Sequence, residues 1–334
     1  MSSGNGHGPV HAEVLDPERF PRAYIPGPPP QWRPYRKGRS LALALALFAV
    51  TLLSSLATGA QFAAAYANNQ TISLDDFFRF YGAIVTAPRL LLPGIPFAFT
   101  LLGILLAHEL GHWFACRYHR IQASYPYFIP APTLIGTLGA FIKIRSPIRD
   151  RRALFDVGLS GPVVGFILAI PALAIGIWYA KIIPGVQSGA PLLFGDPLLL
   201  RILEHWLRPG IPASDFLLHP VGRAAWAGLF ATALNLLPAG QLDGGHILYS
   251  VSSTRHRQVT FSVALVLVPL SLYFKWYGWI AWSVLLLALG FRHPPLLDVW
   301  HPLDRKRLIW AAVALLIFLL CFMPAPIAEG PRAS

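Results

Sequence analysis

Residues Ala107-His108-Glu109-Leu110-Gly111-His112 place two imidazoles four positions apart. On an α-helix that spacing turns through about 400°, so both rings leave from one face and can share one ion. Glu109, rotated by about 100° from His108, can reach a water on that ion without itself being a ligand. With 11 His and 5 Glu in 334 residues, the pattern His-Glu-x-x-His is expected about 0.005 times by chance. Two histidines making ordinary helix hydrogen bonds are the bland alternative. That alternative buries two rings and a carboxylate in an apolar stretch without compensation, at a cost of several kcal/mol.

A catalytic zinc takes three protein ligands and leaves one position for water. The third ligand must come from elsewhere in the chain, and Asp243 stands at the end of a second apolar stretch, in Asn235-Leu-Leu-Pro238-Ala-Gly-Gln-Leu242-Asp243-Gly244-Gly245-His246. Pro238, Gly240, Gly244 and Gly245 break a helix there and let the chain bend Asp243 toward the ion. His246, three residues on, is the rival ligand, although a carboxylate lowers the charge of the site further. As a bland reading, Asp243 is a loop or cap residue. Asn235, about two turns before Asp243, is a candidate for holding a substrate carbonyl, and a helix–helix hydrogen bond is its equal alternative.

The elements that position these residues belong in a bilayer. Hydrophobic residues make up 55% of the chain and charged residues 13%, too apolar a balance for a soluble domain of this length. Apolar stretches near 41–60, 94–116, 157–180, 222–240, 259–274, 276–291 and 308–323 give an all-α polytopic membrane protein with six or seven transmembrane helices. Around Lys275, where Pro269 interrupts the first of two short stretches, the reading is two tight spans or one span and a surface helix; two spans are favoured. Tyr125–Pro132 and Thr137–Arg145 read as extended segments broken by proline and glycine, hence a short membrane-associated β-hairpin or re-entrant segment. Such a strand edge beside the metal could hold an unwound peptide by main-chain hydrogen bonds. Gly158, Ser160, Gly161 and Gly165 allow a neighbour to approach closely, and the helix carrying His108 is the expected one.

Basic residues at 33–39, 117–120, 143–152, 255–257 and 305–307 all fall on one side of this topology, so the amino terminus is expected to be cytoplasmic. The same asymmetry accounts for the net charge of +12 through contact with the lipid bilayer, and no nucleic-acid partner is needed. Residues 1–38 read as a flexible cytoplasmic tail, 39–324 as the transmembrane metalloprotease domain and 325–334 as a C-terminal tail. Cys116 and Cys321 end spans on opposite sides, which makes them packing residues rather than a disulfide.

These motifs, His108-Glu109-Leu110-Gly111-His112, then Asn235-x-x-Pro238 and Leu242-Asp243-Gly244, resemble those of the site-2 protease family of intramembrane metalloproteases. The likeness extends to Gly136-Thr-Leu-Gly139-Ala-Phe-Ile and Gly158-Leu-Ser-Gly161-Pro162, and covers roughly residues 90–300. The stretch 136–165 is most similar to the compact branch with plant chloroplast and bacterial members; the inserted PDZ domain of many relatives is absent. The resemblance implies zinc on His108, His112 and Asp243, with Glu109 as general base. It also implies cleavage within or next to the transmembrane segment of a single-span or other membrane-protein substrate, in regulated intramembrane proteolysis. A membrane metal-ion transporter or a catalytically inactive scaffold is the alternative, but a transporter has no use for a carboxylate beside the metal, and an inactive relative is expected to have lost one of these residues. Acidic residues in the tail argue against an organelle transit peptide, so a bacterial inner membrane is expected.

Overall fold

A computed structural model describes residues 37–73, 80–82, 84, 87–289, 296 and 302–330. The expected tail falls almost wholly outside them. Helix α1 (Lys37–Ala67) is a long run of Leu and Ala. A 3₁₀ turn, Pro88–Gly94, leads into α2 (Ile95–Tyr118), with proline in its first turn, where a missing amide hydrogen costs nothing. The chain then folds into an antiparallel hairpin, β1 (Tyr127–Pro130) and β2 (Thr137–Phe141), in register Tyr127↔Phe141 and Phe128↔Ala140 with an irregularity before Pro130↔Thr137. Helix α3 (Arg151–Trp178) starts at Asp150, whose carboxylate accepts from the Ala153 amide at 2.8 Å, and runs through Pro162 and Pro171 without breaking.

Beyond α3 lies a small lobe of strands β3 (Lys181–Ile182), β4 (Leu192–Phe194), helix α4 (Leu198–Leu207) and strand β5 (Phe216–Leu217). Helices α5 (Pro220–Asn235), α6 (Asp243–Val251), α7 (Ser253–Phe274), α8 (Gly278–Leu289) and α9 (Arg305–Cys321) follow, and strand β6 (Ile327–Glu329) ends the described chain. β3 pairs with β5, and β6 with β4, both antiparallel. Part of the segment past the last helix is therefore held in this lobe as a strand.

Four stretches of the described chain are helical, long and apolar enough to cross a membrane: Ser40–Ala67, Pro88–Tyr118, Arg151–Trp178 and Ser253–Phe274. The other apolar helices expected to span, α5, α8 and α9, have 16, 12 and 17 residues, below the about 20 that a 30 Å core requires. For α5 the reason is position: 12 of its 16 residues are buried, against α2, α3 and α9, so protein rather than lipid largely surrounds it. The segment around Lys275 is a helical hairpin. Pro269 lies inside α7 without ending it, Lys275 turns the chain at φ 55°, and Ser283 Oγ on α8 donates to the Ala264 carbonyl on α7 at 2.7 Å.

Helix ends gather on two faces. On one, Arg307 at the start of α9 and His119 just past α2 both bond Asp156 of α3, and Arg151 donates to Ser253 at the start of α7. On the other, Tyr66 near the end of α1 donates to the Tyr179 carbonyl, while Lys181 donates to the Tyr66 carbonyl and to Asn69 Oδ1, both at 2.7 Å. Arg117 in the last turn of α2, Arg151 and Arg152 at the start of α3, Arg255 at the start of α7 and Arg305 at the start of α9 stand at these same helix ends. The hairpin runs along α1. Ser40 and the Tyr127 hydroxyl are 2.5 Å apart, and Thr58 Oγ1 donates to the Thr133 carbonyl at its tip. Eighteen residues of helix separate Ser40 from Thr58, about 27 Å of axis, so the hairpin enters the depth of the bundle.

In the lobe, Glu204 of α4 is 7% exposed, close to Asp196 and Arg223. Burial first, and the neighbouring Asp196 charge after it, push its carboxyl up to about 7 against the partial opposition of Arg223 and Arg201. A carboxyl raised in the folded state contributes most below its unfolded value, near 4.3, and that contribution is lost as pH climbs through 7. Glu204→Gln is therefore expected to raise the thermal midpoint at pH 8 by the equivalent of on the order of 1–3 kcal/mol and to change it little at pH 4–5. Midpoints of detergent-purified protein across that pH range check this.

Candidate metal centre

The face of α2 that carries His108 and His112 lies on the small-residue stretch of α3. A methyl group on Gly111 would come within 2.6 Å of the Ser160 carbonyl, one on Gly165 within 3.2 Å of His108, and one on Gly161 would overlap the His112 ring. The two helices can meet this closely only because side chains are missing on both. Of the small residues Gly158, Ser160, Gly161 and Gly165, the last three lie in the contact between α2 and α3, while Gly158 faces His246 and Asp243 of α6. His112 Nδ1 is 2.6 Å from the Val157 carbonyl. A carbonyl only accepts, so Nδ1 carries the proton and Nε2 presents a lone pair.

Three side chains converge through four donor atoms. His108 Nε2 and His112 Nε2 are 3.1 Å apart. Asp243 Oδ2 lies 3.1 Å from the first and Asp243 Oδ1 3.3 Å from the second. The two imidazoles and the carboxylate thus form a triangle with donor atoms 3.1–3.3 Å apart, small enough for all three side chains to hold one ion. With His112 fixed as the Nδ1–H tautomer, lone pairs face one another across this gap, an arrangement a cation between them resolves. The residues fit zinc. His108 and Glu109 are each 4% exposed and His112 6%. Glu109 lies with the two imidazoles inside a 4.8 Å cluster, and the backbone of Ile142, next to β2, hydrogen-bonds its carboxylate.

Asp243 arrives through a tight turn. Helix α5 stops at Asn235, Gly240 takes φ +60°, and α6 starts at Asp243 itself. Gly244 is pressed against the Leu236 carbonyl and Gly245 against that of Ala239, positions no side chain could share. Buried groups on α7 pin the turn: His256 Nε2 donates to the Gly240 carbonyl at 2.9 Å, and Thr260 Oγ1 accepts from the Gly240 amide at 3.1 Å. The structure thus brings His108, Glu109, His112 and Asp243 together. Asn235 joins them, its Nδ2 3.3 Å from His108 Nε2. The rival His246 instead lies with its Cβ against Gly158. Val157, His256 and Thr260 were not foreseen. Val157 acts through a backbone carbonyl, which no residue type announces, and His256 sits between Arg255 and Arg257, where it reads as part of a basic loop. Cys116 and Cys321 are free thiols, both buried.

A His-Glu-x-x-His pair on one helix, a carboxylate from a second and membrane-length helices around them define a membrane-embedded metalloprotein. Residues 96–275 match the model of peptidase family M50, and the chain belongs to that family, the site-2 proteases. It is 32% identical over 252 residues to the probable zinc metalloprotease EGY1, chloroplastic, of Arabidopsis thaliana, an alignment that covers 72% of this chain and 43% of that one. It is 31% identical over 258 residues to the protein of the same name from Oryza sativa subsp. japonica, covering 71% and 43%. With the probable zinc metalloprotease EGY2, chloroplastic, of Oryza sativa subsp. indica it shares 30% over 262 residues, 75% and 44%. The chain therefore spans less than half the length of these relatives. No solved structure matches it.

Gly161→Ala is expected to lower bound zinc and to cost about 1–3 kcal/mol of stability, because the added methyl must push α3 off the His112 ring. Zinc per chain and the thermal midpoint of the purified variant check both.

Proposed function

We propose that this chain is an intramembrane zinc metalloprotease that hydrolyses peptide bonds within or next to transmembrane segments of membrane proteins, in regulated intramembrane proteolysis. The observation that carries the reading is the convergence of His108, His112 and Asp243 on one point with the Glu109 carboxylate beside it. Relatives named as zinc metalloproteases support it.

His108, His112 and Asp243 hold the ion. When bound, zinc supplies Lewis acidity to a water and to the scissile carbonyl. Glu109 takes the proton of the attacking water and returns it to the leaving amine, as a buried carboxylate beside the ligands can. Val157 keeps His112 in the tautomer whose Nε2 faces the ion, and it stabilises the positive character the ring acquires as a ligand. Asn235, at the edge of the triangle, offers amide donors to a substrate carbonyl. A transmembrane helix hides its carbonyls in hydrogen bonds, so the substrate must unwind locally, and helices with Gly or Pro near the cut are favoured. The outer edge of β2 is suited to receive the unwound segment by main-chain pairing, and Leu138 and Phe141 on that strand are exposed.

The substrates are single-span or other membrane proteins. With the four long helices, α5 continued by α6, together with α8 and α9, would bring the crossings to six or seven. The membrane is a bacterial inner membrane, as the acidic residues of the tail suggest, and the amino terminus is cytoplasmic, the orientation favoured by the basic residues at helix ends. Metal transport is the competing reading, and Glu109 argues against it, because a transit site needs no carboxylate placed beside the metal.

Purified wild type is expected to hold one zinc per chain and to cut a model single-span substrate. Glu109→Gln should keep its zinc and lose at least 100-fold in cleavage rate, whereas Asp243→Ala should lose zinc and cleavage together. Wild type that binds zinc, cuts nothing and carries zinc across reconstituted vesicles would make the chain a transporter.

A further inference from the structure

The small-residue contact that lets α2 and α3 touch makes their register exacting. The His112 and His108 rings fill the notches left by Gly161 and Gly165, so a slide of one helix along the other disturbs both rings. The His112 Nδ1 to Val157 carbonyl distance of 2.6 Å likewise tolerates only a few tenths of an ångström of slip before the bond weakens. A polar bond that joins the same two helices next to Val157 therefore bears directly on this register.

Asp156, the residue before Val157, accepts from three donors. Its Oδ1 takes Arg307 Nε at 2.8 Å, and its Oδ2 takes Arg307 Nη2 at 2.6 Å and His119 Nε2 at 2.8 Å. His119 stands two turns beyond His112 on the same face of α2 and directly follows its last residue. The Asp156–His119 bond therefore joins the same two helices as the Val157–His112 bond, at the end where the chains can be gripped. Arg307, itself paired with Asp304 at the start of α9, adds a third helix. Side chains of the cluster are only 18–26% exposed at His119, Asp156 and Arg307. The two-pronged Arg307–Asp156 pairing is the geometry in which a guanidinium holds a carboxylate in one orientation, unlike a loose surface pair.

We infer that Asp156, oriented by Arg307 and bonded to His119, is a positioning residue for the metal centre, setting the register of α3 on α2 that delivers the Val157 carbonyl to His112. The inference rests on the zinc reading of that centre. A carbonyl shifted from His112 leaves the ring free to turn and less basic, and loss of such a partner typically weakens metal binding about 10–100-fold. Acting one link further out, Asp156 and Arg307 should each matter somewhat less.

The test measures zinc affinity by competition with a chromogenic chelator on the full chain in detergent, beside the thermal midpoint of the metal-free protein. Arg307→Gln and Asp156→Asn are each expected to weaken zinc binding about 3–10-fold. Their combination should be no weaker than the worse single variant, because both cut one link. Arg307→Lys, a milder change that keeps the charge but not the fork, should fall between wild type and Arg307→Gln. Asp150→Ala removes the α3 cap without touching the cluster; it should lower the midpoint and leave zinc affinity alone. Affinity unchanged within twofold in the Asp156 and Arg307 variants, or lowered equally by Asp150→Ala, overturns the inference. A wild type that binds no zinc overturns the metal-site reading and this inference with it.

Discussion

Two imidazoles and two carboxylates at membrane depth can persist only where protein, not lipid, surrounds them and each lone pair has a partner. The rest of the structure follows from this constraint. It requires that α2 be covered on its histidine face, that the cover come close enough to exclude lipid, and that it offer acceptors rather than hydrocarbon. A helix with ordinary side chains cannot do this, since its backbone carbonyls are shielded by the residues above them. Helix α3 can, because Gly161 and Gly165 expose its backbone to the rings and leave the Val157 carbonyl 2.6 Å from His112. The proline after Gly161 is tolerated in the middle of this helix.

The same constraint explains why α5 is short and buried. Asp243 must enter from a second helix and stop at the level of the two rings, which a span of full length would overshoot. Ending α5 at Asn235 and turning through Gly240 puts irregular backbone inside the bundle, where unpaired amides are expensive. The turn is affordable because it is enclosed in protein and because His256 and Thr260 satisfy Gly240 from α7. Position in the bundle, rather than length, thus decides what α5 is.

The convergence of side chains was legible in the sequence where it depends on side-chain type at fixed spacing. His108, Glu109 and His112 are tied by one turn of helix, and Asp243 is marked by the helix breakers around it. The β1–β2 hairpin was legible because proline and glycine interrupt its apolar residues at intervals no helix allows. What escaped was whatever depends on backbone or on long-range pairing. A carbonyl such as that of Val157 has no residue type, and Glu204 has no periodic signature that distinguishes a buried glutamate from an exposed one. The pairing of Ile327–Glu329 with Leu192–Phe194 joins segments more than 130 residues apart. Arg307 illustrates a different failure: a charge at the foot of an apolar helix satisfies the positive-inside pattern so well that its second role, gripping Asp156, leaves no trace in composition.

Depth links the hairpin to the proposed chemistry. His108 lies ten residues before the end of α2, about 15 Å along the axis, while a four-residue strand extends about 13 Å. The hairpin is therefore long enough to carry extended backbone from the end of α2 to the level of the ion. Its contacts agree: the backbone at Ile142 meets Glu109, and the tip lies deeper, where Ser54 donates to the Gly136 carbonyl at 2.6 Å and Thr58 to that of Thr133. Among the described residues β2 pairs with β1 alone, while Phe128 of β1 packs against Phe48 of α1. A substrate helix gives up its internal hydrogen bonds before its carbonyl can be attacked, and in a bilayer no water replaces them. In the proposed mechanism the outer edge of β2 offers replacements at the depth where they are lost, which would make unwinding and presentation to Glu109 one event rather than two.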